Sequence, residues 1–309
     1  MGTGIDILSD MEIIKSAFED QHESLIKYRQ GLGEFFGERL ERSGFIGIMA
    51  PDKTGKSFML QDLAYRAMLQ KRRVAYFECG DNSRNQIMRR FMVRISKHPL
   101  KPCTVEYPDS IEIDEENETY VTHTQRKYRH ELTWRRAYKA CRELAKGKKI
   151  KDVLRLSCHY NSTLSIDGMR DVLEGWEREN WIPDVVVIDY ADIMDMDRYG
   201  IEGRDRTDYL WKGLRRISQE RHCLVVTATQ SNRAAYTAKK IGREHSSEDK
   251  RKLAHVTGML GMNQNSEEKE KGVMRLNWVV LREGSYNEGK FCYVATCLPL
   301  ANITAKSKM

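Results

Sequence analysis

The stretch Ala50-Pro51-Asp52-Lys53-Thr54-Gly55-Lys56-Ser57 constrains this chain more than any other eight residues in it. An apolar run, Phe45-Ile46-Gly47-Ile48-Met49, leads in, and Phe58-Met59-Leu60-Gln61-Asp62-Leu63-Ala64 leads out. The pattern predicts a strand, a tight loop and a helix. Its spacing is that of the phosphate loop G-x-x-x-x-G-K-[ST], with Ala50 in place of the first glycine. Gly55 supplies backbone angles that other residues avoid, so the loop can wrap. The amides of residues 53–57 would then converge at a helix N-terminus, where the dipole favours an anion. Ala50 through Phe58 are therefore the expected phosphate-binding residues. Lys56 would reach the outer phosphates, and the Ser57 hydroxyl would ligate Mg2+.

A second anchor is Pro183-Asp184-Val185-Val186-Val187-Ile188-Asp189-Tyr190. Four successive β-branched residues predict a strand buried on both faces, as in a parallel sheet. Asp189 falls at its C-terminal edge, where sites of open α/β sheets lie, and would hold Mg2+ through water. Two further strands are expected. Val74–Phe77 ends in Glu78, and 222–229 ends in Gln230, whose polar side chain would report on a γ-phosphate. Strand, loop and helix repeat in order, and strands at 273–281 and 290–298 close the chain as a hairpin. The prediction is an α/β fold, a mainly parallel β-sheet with helices on both faces and a C-terminal β-hairpin. The polar stretch 231–272, with a short apolar island at 254–262, is expected to be a mobile loop plus helix. It would either line a channel or lie on the surface.

Residues 1–42 read as an amphipathic helical segment, with Ile13, Ile14, Phe18, Leu25 and Ile26 at helical spacing and interruptions at Gly31, Gly33 and Gly37. Prolines 99, 102 and 108 disfavour helix, so 98–125 reads as an inserted loop or hairpin. Residues 126–151 are strongly basic, with Tyr128, Trp134 and Tyr138 interleaved. That composition fits a nucleic-acid contact, in which cations meet phosphates and rings stack on bases. It fits a solvated helix face equally well.

With 309 residues, 40% of them hydrophobic, the chain can bury one large core. A net charge of +7 permits a polyanionic partner without requiring one. Seven scattered cysteines, with no C-x-x-C and no zinc spacing, point to reduced thiols and a cytoplasmic location. No apolar run approaches the roughly 20 residues a membrane span needs.

With these residues placed, 43–298 resembles the RecA-like ATPase domain of DnaB-type replicative helicases and their phage relatives. The phosphate loop at 50–57 carries the resemblance first. Val185–Tyr190 is similar to the family's second nucleotide motif, including its Asp-Tyr pair, and Thr229-Gln230-Ser231-Asn232-Arg233 to its third. The resemblance implies ATP and Mg2+ as cofactors. It implies that Glu78 activates water, with Asp81 the alternative alignment, and that Gln230 contacts the γ-phosphate. It places Arg282, on the last hairpin, in a neighbouring subunit's site, although Val280 stands where the family often has a lysine. The implied organisation is a helical segment 1–42, a RecA-like ATPase domain 43–300 with an insert at about 98–151, and a flexible tail 301–309. The implied function is ATP hydrolysis at subunit interfaces of a homo-oligomer, expected to be a hexamer, on single-stranded DNA. A replication or recombination protein would be a further partner. Three readings share that engine: a DNA helicase or translocase ring, a recombination filament on single strands, and a nucleotide-gated loader bound to a protein.

Overall fold

Strand β1 (Phe45–Ala50) lies at the middle of a nine-stranded sheet. A computed structural model describes residues 8, 10–12, 14–15 and 24–309, except 116–117, 198–199, 202–203, 247–249, 285 and 288. To one side of β1 run β7 (Leu224–Gln230), β6 (Val185–Asp189), β2 (Val74–Glu78) and β5 (Leu154–Cys158), all parallel. On the other side β8 (Gly258–Asn263) is also parallel to β1. Beyond it β9 (Val273–Leu281), β10 (Cys292–Cys297) and β11 (Asn302–Lys308) continue the sheet antiparallel. The α/β fold, the parallel core and the terminal hairpin are as expected.

Alternation along each strand splits the core into two layers, because successive side chains point to opposite faces. Ile46, Ile48, Val74, Tyr76 and Val187 pack toward α1 (Gln30–Phe36), α2 (Lys56–Leu69) and α3 (Arg84–Ser96). Phe45, Met49, Phe77, Val186 and Ile188 pack toward α5 (Ile166–Arg178) and α6 (Arg204–Glu220). Local signals set the helix starts. Ser83 and Gln86 form a capping box before α3, and Ser165 accepts the Gly168 amide before α5.

Three expectations are corrected. The apolar island at 254–262 contains β8, a core strand. The tail 301–309 is not frayed, because 302–308 forms β11, which buries Ile303 and pairs with β10. Gly31 and Gly33 do not interrupt a helix but lie within α1, where a Cβ on Gly31 would meet the Lys308 backbone at 2.5 Å. Only glycine allows that approach. Leu25 and Ile26 are fully buried, while Ile13 and Phe18 lie outside the described residues. The insert is a hairpin, β3 (Cys103–Ile113) and β4 (Thr119–Tyr128), followed by α4 (Trp134–Lys148). Ile111 packs with Tyr293, and Val105 with Cys297 and Leu300.

One buried carboxylate ties the N-terminal segment to the far edge of the sheet. Asp62 accepts from Arg94 at 2.7 Å, Tyr28 at 3.1 Å and Thr304 at 2.7 Å, with Arg66 at 3.5 Å. Removing one member of such a set strands the others. Asp62→Ala is expected to cost about 3–5 kcal/mol in chemical unfolding. A loss below about 1 kcal/mol would mean that the cluster is not holding these elements together.

The seven cysteines are all free thiols. Among the described residues no helix is long and apolar enough to cross a membrane.

Candidate functional site

The loop between β1 and α2 closes on itself. Thr54 Oγ1 donates to the Pro51 carbonyl at 3.0 Å, and Gly55 sits at φ +99 in the left-handed region. Ala50 replaces the customary glycine without strain, because it is still strand. It pairs with Gln230, its carbonyl accepts the Ser231 amide at 3.0 Å, and its methyl is buried in the core. The crest of the loop is Lys53, with φ +57. Asp52 accepts a hydrogen bond from Tyr236, which accounts for one of the loop's two unusual charges.

Lys56 opens α2 and donates to the carbonyls of Ala50 and Pro51 at 3.1 and 2.7 Å. Burial lowers its pKa, and the carboxylates of Asp52, Asp192, Asp81 and Asp189 oppose that. Ser57 Oγ donates to Asp189 Oδ1 at 2.9 Å, and the Tyr76 hydroxyl to Asp189 Oδ2 at 2.9 Å. Asp189 is fully buried, and burial pushes its pKa up to about 6 against these two hydrogen bonds. A serine hydroxyl and a carboxylate are hard oxygen donors. They suit Mg2+, which takes one or two protein carboxylates and completes its shell with phosphate and water. Among the described residues no cluster of three acidic, His or Cys side chains offers a tighter cage.

Glu78 lies beside Asp189 across the β2–β6 pair and is fully buried. Its Oε1 accepts the amides of Gly80 at 3.3 Å and Asn82 at 2.8 Å, while Oε2 has no partner. These bonds pin the turn that carries Asp81. Gly80 is obligatory there, with φ +107 and the Asn161 amide 2.1 Å from where a Cβ would sit. Asp81 is exposed on the wall of the cavity, whereas Glu78 stands behind it.

Burial, then the Asp189 charge, pushes the Glu78 pKa from its ordinary 4.5 to about 7. The folded protein therefore holds a proton that the unfolded chain releases between those values. Stability must fall as pH rises through that window, by up to about 3 kcal/mol. In the nucleotide-free protein Glu78→Gln is expected to raise the melting temperature at pH 8 and to leave it little changed at pH 4.5. Equal effects at both pH values would contradict a raised pKa.

The phosphate loop forms one wall of a cavity of about 480 Å3, the size of a small-ligand site. Asp81, Arg90, Tyr190 and Gln230 form a second, and Met274, Leu298 and Ile303 an apolar third. Gln230 ends β7, and its amide donates to Asp192 Oδ2 at 3.1 Å. Sequence reasoning missed Asp192 and its partner Lys252. Lys252 is fully buried and donates to Asp192 Oδ1 at 3.0 Å and Thr229 Oγ1 at 2.9 Å, above the Trp211 ring. This clamp joins the end of β7 to the segment after it. Asp192 was findable from its place three residues after Asp189. Lys252, in a charged run, carried no signal. Arg90, 4.6 Å from the centre of the Phe58 ring, was also missed.

Arg282 lies elsewhere. Its amide donates to Thr257, whose own amide donates to Phe45, so it marks the N-terminal end of the parallel strands. The phosphate loop is at their other end, roughly 15 Å away at about 3.3 Å per residue. The structure thus brings Lys56, Ser57, Glu78, Asp189 and Gln230 together and leaves Arg282 outside that group.

No protein-family model matches the chain, and no curated protein matches it by sequence. Solved structures do match it. The ATPase domain of a phage protein superposes with a TM-score of 0.71 at 12% identity, covering 97% of this chain and 98% of that one. A DnaB-like replicative helicase, described with its interactions with primase, gives 0.71 at 12% identity, covering 96% of this chain and 68% of that one. At this identity the likeness establishes a shared RecA-like fold.

Proposed function

We propose that this chain binds and hydrolyses Mg·ATP at interfaces between its own copies and uses the energy to move along DNA, as a DnaB-like helicase or translocase ring. The observation that carries the reading is the convergence of the phosphate loop, the Ser57–Asp189 pair and the Glu78–Asp81 turn on one cavity at the C-terminal edge of the parallel strands. That edge is where open α/β sheets bind ligands. Nothing in the cavity suits a nucleophilic or redox reaction better.

In this reading the amides of residues 53–57 and the Lys56 ammonium bind the β- and γ-phosphates. Ser57 and Asp189 would hold Mg2+, which neutralises charge on the transferring group. Asp81, on the cavity wall, orients the attacking water. Glu78 positions Asp81 by holding the amides on either side of it. Gln230 meets the γ-phosphate, and the clamp of Asp192 and Lys252 passes its position to the segment after β7. Arg282 of one copy completes the site of the next. The structural neighbours favour the helicase ring over a filament or a loader, because both are helicase-type domains matched over nearly the whole of this chain.

The test is ATP turnover with and without single-stranded DNA, read beside particle symmetry in electron micrographs. Stimulation by DNA and closed rings are expected. An ATPase indifferent to DNA would leave the engine and remove the motor.

A further inference from the structure

Residues 126–151 carry eleven Lys and Arg against two Glu, a net +9. The other 283 residues carry 41 against 43, a net −2. The whole positive excess of the chain therefore sits on one insert, which contributes nothing to the nucleotide cavity. Helix α4 gives that charge a shape. Thr133 caps it, and Ala137, Cys141, Leu144 and Ala145 face inward, with Cys141 Sγ 3.4 Å from Met92 Sδ on α3. The helix is thus anchored without its two large rings. Trp134 is 71% exposed and Tyr138 58%.

Trp134, Tyr138 and Arg142 are four residues apart and form one row along the helix. Arg142 Nη1 donates to the Tyr138 hydroxyl at 3.4 Å, and the Arg135 guanidinium lies 5.1 Å from the centre of the Trp134 ring. Among the described residues the cations of α4 make one ion pair, Lys139 with Glu143 at 3.8 Å. Arg135, Arg136, Lys146 and Lys148 make none.

We propose that α4, with the basic end of β4, is a binding surface for single-stranded nucleic acid, separate from the ATP cavity. Unneutralised cations in a line track a phosphate backbone, and exposed rings that the fold does not use stack on base faces. A duplex hides its base faces, so single strands are preferred. An acidic protein would satisfy the cations and leave the rings with no role. Neither phosphates nor base faces distinguish the sugar, so DNA and RNA strands bind alike.

The test uses the full chain without nucleotide. Labelled oligothymidylate and oligouridylate of about 15 nucleotides, within the span of such sites, are titrated over a range of salt. Replacing both rings (Trp134→Ala with Tyr138→Ala) is expected to weaken binding of both strands about tenfold or more. Arg135→Gln and Arg142→Gln should each lower the log–log salt slope by about 0.7. The strand-induced quench of tryptophan emission should vanish with Trp134→Ala. Melting temperature and ATP turnover without DNA should stay at the parent values. Parent affinity and slope in every variant, or a duplex bound as tightly as the single strand, would overturn the proposal. Strand binding that depends on α4 in a protein with no ATP turnover would sink the proposed ATPase and leave this surface standing.

Discussion

Arg282→Ala is expected to lower ATP turnover by about 10^3–10^5 while leaving nucleotide affinity and melting temperature near the parent values. The size follows from the chemistry. Charge spreads over the γ-phosphate oxygens in the transition state, and a guanidinium placed there stabilises that charge more than it stabilises bound ATP. The location follows from topology. Strand β9 runs antiparallel to β8, so it delivers Arg282 to the opposite end of the sheet from the phosphate loop. Its guanidinium donates to the Ala254 carbonyl at 2.7 Å, a contact easily exchanged at an interface. A side chain this far from its own site can serve only a neighbour's. Mixing Arg282→Ala with Lys56→Ala subunits tests that geometry. Some interfaces then pair an intact Lys56 with an intact Arg282, and turnover should partly return. No recovery at any mixing ratio would place the arginine's role, if it has one, within a single chain.

Asp81→Asn is expected to keep Mg·ATP binding and to lose about 10^2–10^4 in turnover, the range for a positioned acid–base group. Glu78→Gln should lose much less. A glutamine carbonyl can still accept the Gly80 and Asn82 amides and so hold the turn that presents Asp81. Glu78→Ala removes those contacts and should fall between the two. Single-turnover hydrolysis with pre-bound nucleotide separates chemistry from binding. A Glu78→Gln protein that binds ATP and does not hydrolyse it, beside an active Asp81→Asn protein, would return the water to Glu78.

What the sequence made legible follows from which interactions are local. The phosphate loop, the β-branched run before Asp189 and the capped helices are all encoded within about ten residues, and each is where the pattern put it. Strand β8 was hidden because packing forces glycine into it. A Cβ on Gly258 would meet Trp278 at 2.8 Å, and one on Gly261 would meet Asn277 at 2.6 Å. Those glycines remove the β-branched signal that marks the other parallel strands. Strand β11 was hidden because its inward polar residues answer distant groups: Thr304 bonds Asp62, and Ser307 accepts the Leu32 amide. Lys252 was hidden because its burial depends on Asp192 and Thr229, which the fold brings to it. The choice between Glu78 and Asp81 needed the turn's hydrogen bonds, which no alignment of motifs contains.

The central claim is that a triphosphate lies between the Gly55-Lys56 turn and Asp189. Electron cryomicroscopy of the protein with a non-hydrolysable ATP analogue and Mg2+ tests it directly. The account predicts the β- and γ-phosphates against the amides of residues 53–57, with the metal between Ser57 and Asp189. Nucleotide bound elsewhere, or this cavity still filled by its own side chains at saturating analogue, would contradict it.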